Sequence, residues 1–93
     1  MKDVDINNAM LMMNGIKYQY MVAIEEMAEL TKELTKYNRD KGSITKLCEE
    51  IADVEICLAQ IKMSIPDVKM RVNLFKRYKM RRLETLYLTR KEK

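Results

Sequence analysis

Residues 25–30 read EEMAEL and residues 49–54 read EEIADV. Both have the form Glu-Glu-apolar-Ala-acid-apolar, and they stand 24 positions apart. Each hexad sits inside a longer run with helical periodicity. Around the first, Tyr20, Ala23, Ile24, Met27, Leu30 and Leu34 recur at the i, i+3, i+4 spacing of one buried helix face. Around the second, Ile44, Leu47, Cys48, Ile51, Val54, Leu58 and Ile61 do the same. These stripes predict one helix from Ile16 to about Asn38 and another from Ile44 to about Met63. Ser43 is the expected N-cap of the second. Between them, RDKGS at residues 39–43 is a turn, with Gly42 free to take a positive φ.

The rest of the chain extends this all-α reading. Pro66 stops the second helix, and Pro66-Asp67 suits the start of a third, running from about Asp67 to beyond Leu86. Phe75, Leu83 and Leu86 are its expected core residues. Residues 1–14, with Met10, Met12 and Met13 before an Asn14-Gly15 break, form a short helix or an ordered arm, and residues 88–93 a fraying tail. Only two Gly and one Pro interrupt a chain rich in good helix formers, and no segment alternates as a strand does. The 93 residues suit one domain, and a core this small commonly gains stability by pairing with a copy of itself. An oligomer is therefore expected.

Composition narrows the compartment and the ligand. Cys48 and Cys57 lie on opposite faces of one predicted helix, too far apart to bond, and read as buried thiols of a reducing compartment. No apolar run approaches the roughly 18 residues of a membrane span. A cytoplasmic protein with no membrane partner is the expectation. The net charge of +4 is unevenly distributed: residues 1–66 carry 8 basic and 11 acidic side chains, residues 67–93 carry 10 basic and 3 acidic. A mildly acidic body followed by a basic helix favours a polyanionic ligand.

Geometry then relates the two hexads. Glu26 and Glu29 flank the first stripe, and Glu50 and Asp53 flank the second on the matching side. With the turn centred near Lys41, Glu29 and Asp53 lie opposite each other, each 12 residues from it. Glu50 falls within about one turn along the axis and Glu26 about one turn further out. A lone ExxE on an amphipathic helix is usually a solvated, salt-bridged face. Two copies level across a turn are different, because four gathered carboxylates repel one another unless a cation neutralises them. An oxygen-only set in a chain without His suits Mg²⁺, or Mn²⁺, rather than zinc.

The pattern resembles a known family. Glu25-Glu26-Met27-Ala28-Glu29 followed by Glu50-Ile51-Ala52-Asp53 is similar to the signature of the MazG-like, all-α nucleoside triphosphate pyrophosphohydrolases. Gly15, Gln19 and AIEEMAEL resemble the first motif helix, and EEIADVEICLAQIK the second. FKRYKMRRL resembles the basic segment that follows in small, phage-like members. The likeness spans roughly residues 15–84. It implies a helical bundle acting as a homodimer or homotetramer that cleaves a (d)NTP to a (d)NMP and pyrophosphate with Mg²⁺. Carried over by position, Glu26, Glu29, Glu50 and Asp53 are metal ligands, and Glu25 helps to orient or deprotonate water. Lys76, Lys79 and Arg82 bind phosphate, Lys79 standing where an Arg is expected. With no Trp or His, base recognition falls to Gln19, Tyr18, Tyr20 or a partner subunit.

Other residues have plainer expectations. Glu55 falls within the apolar arc and calls for a structural salt bridge. Glu33 suits a surface pair with Lys36 or Lys32, and the nine Met are adaptable filler. The rival readings are a nucleic-acid-binding or antitoxin-like module using the basic helix, and a catalytically idle structural relative. Nucleic acid ranks second because the basic residues spread around the helix and leave the matched acids unexplained.

Overall fold

The protein's computed structural model describes residues 1–92, and among these all regular structure is helical. Four helices follow one another: α1 Asp3–Asn14, α2 Ile16–Asn38, α3 Ile44–Ser64 and α4 Val68–Lys91. No helix is long and apolar enough to cross a membrane. The N-terminal segment is thus a helix, with Asp3 and Asp5 in its first turn, where negative charge complements the helix dipole. Gly15 separates α1 from α2 at φ 86°, a backbone conformation that favours glycine. Residues 88–91 are helical rather than a loose tail, and Lys93 lies outside the described residues.

The junctions show which local signals act. Ser43 caps α3, its Oγ accepting from the Lys46 N–H at 3.0 Å. In the turn before it, Asp40 rather than Gly42 adopts the left-handed conformation, with φ 59°. Gly42 serves by being small, since a Cβ there would lie 2.8 Å from the Tyr37 backbone nitrogen. Asp67 precedes α4 with φ 66° and makes no side-chain cap.

Packing is concentrated between α2 and α3, with α1 against both and α4 touching only α3. The face that closes this contact differs from the expected one. One buried or half-buried row consists of Gln19, Ala23, Glu26, Leu30 and Glu33 on α2, and of Leu47, Glu50, Val54, Cys57 and Gln60 on α3, with Tyr20 and Ile61 of the expected stripes half-buried beside it. The three- and four-residue steps are those of a helix–helix seam, but polar residues occupy half of it. Much of each apolar stripe is instead exposed, including Ile24, Met27, Leu34, Ile44, Ile51 and Leu58. Each helix carries an apolar arc wider than one neighbour can cover, so only part of it is buried within the chain. Cys48, expected to be buried, is exposed, and so is Glu55, which needs no internal partner.

Phe75, Leu83 and Leu86 are also exposed, at 60%, 56% and 46% of their surface, because α4 has no second helix to lie on. The radius of gyration, 16.8 Å, exceeds the about 12 Å of a compact chain of this length. Among the described residues, the buried apolar core comprises Leu11, Ala23, Leu47, Val54 and Cys57.

Candidate metal centre

Polar pairs across the α2/α3 seam define its register. Gln19 Nε2 donates to Gln60 Oε1 at 2.6 Å, and Glu26 meets Asp53. Both pairs are equidistant from a point between Arg39 and Asp40, not from Lys41. The Tyr20–Ser64 pair, in contrast, is centred on residue 42. Glu26, and not Glu29, is the α2 carboxylate that joins Asp53.

Three carboxylates converge as a result. One oxygen each from Glu26, Glu50 and Asp53 lie within 4.8 Å of one another. Glu26 is half-buried, Glu50 buried and Asp53 exposed, so the cluster runs from the seam to its solvent edge. Glu29, expected as a fourth ligand, is exposed and outside this group, though its charge reaches Glu26. Glu25 is exposed on the same helix.

The electrostatics record the crowding. Burial, then the negative charges of Asp53 and Glu50, push the Glu26 carboxyl above its ordinary range, with a hydrogen bond to Asp53 and the charge of Glu29 adding to the rise. Burial also raises the Cys57 thiol, again with Glu26 and Asp53 contributing, so Cys57 stays a protonated wall residue rather than a thiolate ligand. Glu50 is the residue that most requires a partner. It is only 5% exposed; its Oε1 meets Lys46 Nζ at 3.3 Å, and its Oε2 is buried with no hydrogen-bond donor. A buried, unsatisfied carboxylate oxygen is costly. Beside two further carboxylates it fits a hard cation with oxygen ligands.

The other expected site residues are placed differently. Gln19 is buried and hydrogen-bonded through both amide atoms: besides its bond to Gln60, its Oε1 accepts from Asn14 Nδ2 at 3.3 Å, while Gln60 Nε2 donates to Asn7 Oδ1 at 3.1 Å. This chain of four amides ties α1 to the seam. Tyr20 is engaged as well, its hydroxyl 3.0 Å from Ser64 Oγ. Since Ser64 donates to the Ile61 carbonyl at 2.8 Å, Tyr20 is the donor in that pair. Tyr18 is exposed. Lys76, Lys79 and Arg82 are exposed on α4, whose only ion pair among the described residues is Arg81 with Glu84 at 3.3 Å.

Two further charged residues have ion pairs on these helices. Glu33 pairs with Lys36 at 3.6 Å as expected, but is buried rather than on the surface. Lys46 contacts Glu50, lies 4.0 Å from Glu49 Oε2 and feels the charge of Glu33. Its i, i+4 spacing to Glu50 was the available signal.

No known family, curated protein or solved structure matches this chain. The MazG-like resemblance stands on its residues alone.

Proposed function

We propose that the chain is a Mg²⁺-dependent nucleoside triphosphate pyrophosphohydrolase that cleaves a (d)NTP to a (d)NMP and pyrophosphate. The observation that carries this reading is the convergence of Glu26, Glu50 and Asp53 on one point, with a buried Glu50 oxygen that has no partner. These three residues would hold Mg²⁺, or Mn²⁺ in its place, with Glu29 on the rim. When bound, the cation supplies positive charge to the phosphate oxygens of the substrate. Glu25, exposed one residue before Glu26, orients the attacking water or takes its proton. Lys76, Lys79 and Arg82 receive the charge that develops on the departing pyrophosphate.

The proposed architecture is an antiparallel α2/α3 hairpin that assembles as a homodimer or homotetramer in the cytoplasm. Its support is the unspent apolar surface: the outer stripes of α2 and α3, and Phe75, Leu83 and Leu86 on α4. A second copy that covers these faces also gives α4 a body to lie on. Opposite charge favours that contact, since α4 is strongly basic and residues 1–66 are net acidic.

The test is release of pyrophosphate from each common NTP and dNTP with Mg²⁺ or Mn²⁺. Turnover lost in Glu50→Gln and Asp53→Asn supports the reading. Absence of turnover with every nucleotide, or full activity in both variants, refutes it. A second reading is favoured by the exposed basic surface of α4, which has the charge to contact a polynucleotide backbone. Polynucleotide binding with a steep salt dependence, unchanged by Glu50→Gln, would establish it instead.

A further inference from the structure

We propose that Lys46 is a tethered counter-ion that holds down the affinity of the Glu26, Glu50 and Asp53 cluster for a free divalent cation, so that metal is taken up together with the triphosphate. This rests on the reading of the cluster as a cation site and concerns how that site is regulated.

Glu50 divides its two oxygens between different roles. Oε1 is held by Lys46 Nζ at 3.3 Å, Oε2 is buried without a hydrogen-bond partner, and one oxygen of this carboxylate lies within 4.8 Å of Glu26 and Asp53 oxygens. The Lys46 side chain is half exposed, whereas that of Glu50 is 7% exposed, so a solvent-facing cation is anchored to a buried anion. Its ammonium also lies 4.0 Å from Glu49, and buried Glu33 acts on it. One positive charge is thereby shared among the acids at the turn-proximal side of the cluster.

That charge opposes a metal ion in two ways. It competes for Glu50, and it repels a doubly charged ion directly. Exposed pairs of single charges are worth up to about fivefold in an equilibrium, and a double charge squares this to about thirtyfold. A nucleoside triphosphate arrives with its own negative charge and overcomes the repulsion, so the cluster binds metal with nucleotide better than metal alone.

The experiment is titration with Mn²⁺ alone, without nucleotide, followed by electron paramagnetic resonance for the native protein, Lys46→Met and Lys46→Arg. Lys46→Met is expected to bind Mn²⁺ about five- to thirtyfold more tightly, and Lys46→Arg, which keeps the charge, within about twofold of native. Equal or weaker binding by Lys46→Met overturns the proposal and leaves Lys46 as a structural bridge. If the native protein and both variants bind no Mn²⁺ at millimolar concentration, the cation-site reading itself fails, and this inference with it. Melting followed by circular dichroism in excess Mn²⁺ guards against a folding artefact: Lys46→Met should gain more stability from Mn²⁺ than native protein, and a smaller gain overturns the proposal.

Discussion

Glu26 on α2 and Asp53 on α3 place carboxylate oxygens within 4.8 Å of each other, although the turn centre expected from sequence pairs Asp53 with Glu29. In the connection, Asp40 rather than Gly42 takes the left-handed conformation. Glu26 is half-buried within the acidic cluster, and Glu29 is exposed outside it.

The carboxylates should therefore be unequal. Glu26→Gln and Asp53→Asn are each expected to lower kcat/KM for pyrophosphate release by about 10²-fold or more, and Glu29→Gln by less than about tenfold. Steady-state kinetics on the three variants decides the matter. An equal loss at Glu29 would restore it as a full ligand.

Glu26 also makes the metal-free fold sensitive to pH. Its carboxyl is raised above the ordinary 4.5 in the folded state, so protonation favours folding. The resulting stability is fully present below 4.5 and lost as pH rises through the raised value. Thermal melts in a chelator at about pH 5 and about pH 7 should show a decline for native protein that Glu26→Gln reduces. A decline of the same size in the variant would remove Glu26 as its cause.

The amide chain should be structural. Gln60→Leu strips Gln19 of its acceptor and Asn7 of its donor, at an expected cost of about 1–3 kcal/mol. For a domain of this size each kcal/mol lowers Tm by about 4–8 °C. Calorimetry of this variant, with kcat/KM largely retained in the folded protein, is the expected pair of results. Loss of base selectivity without loss of stability would return Gln19 to the binding site.

The exposed face of α4 should be an assembly surface. Sedimentation equilibrium is expected to give a multiple of the chain mass, and Phe75→Glu with Leu83→Glu to reduce that multiple. A native monomer at micromolar concentration would contradict the proposed assembly.

Helix type and approximate limits were legible in local signals. Ser43, Pro66 and the sparse Gly and Pro act within a few residues, so their effects can be read without knowing the neighbours. The acidic pair Glu50 and Asp53 was legible because its spacing on one helix is itself local. The contact of Gln19 was not, because a glutamine looks the same in sequence whether it faces a ligand or Gln60, 41 positions away. The Glu33–Lys36 pair was legible from its spacing, but the burial of Glu33 was not, since burial is a property of the packed seam.

The sequence by itself determined three helical segments, the acidic pairs that two of them carry and the change of charge at Pro66, and left residues 1–14 open between a helix and an ordered arm. Only the tertiary structure decided which side of each helix turned inward and which carboxylates met. An apolar arc wider than one contact leaves the rotation of a helix open, and a shift of one and a half residues in a turn centre moves partners by a full turn. Neither can be read from local sequence, because both depend on contacts between residues far apart in the chain, such as Gln19 with Gln60.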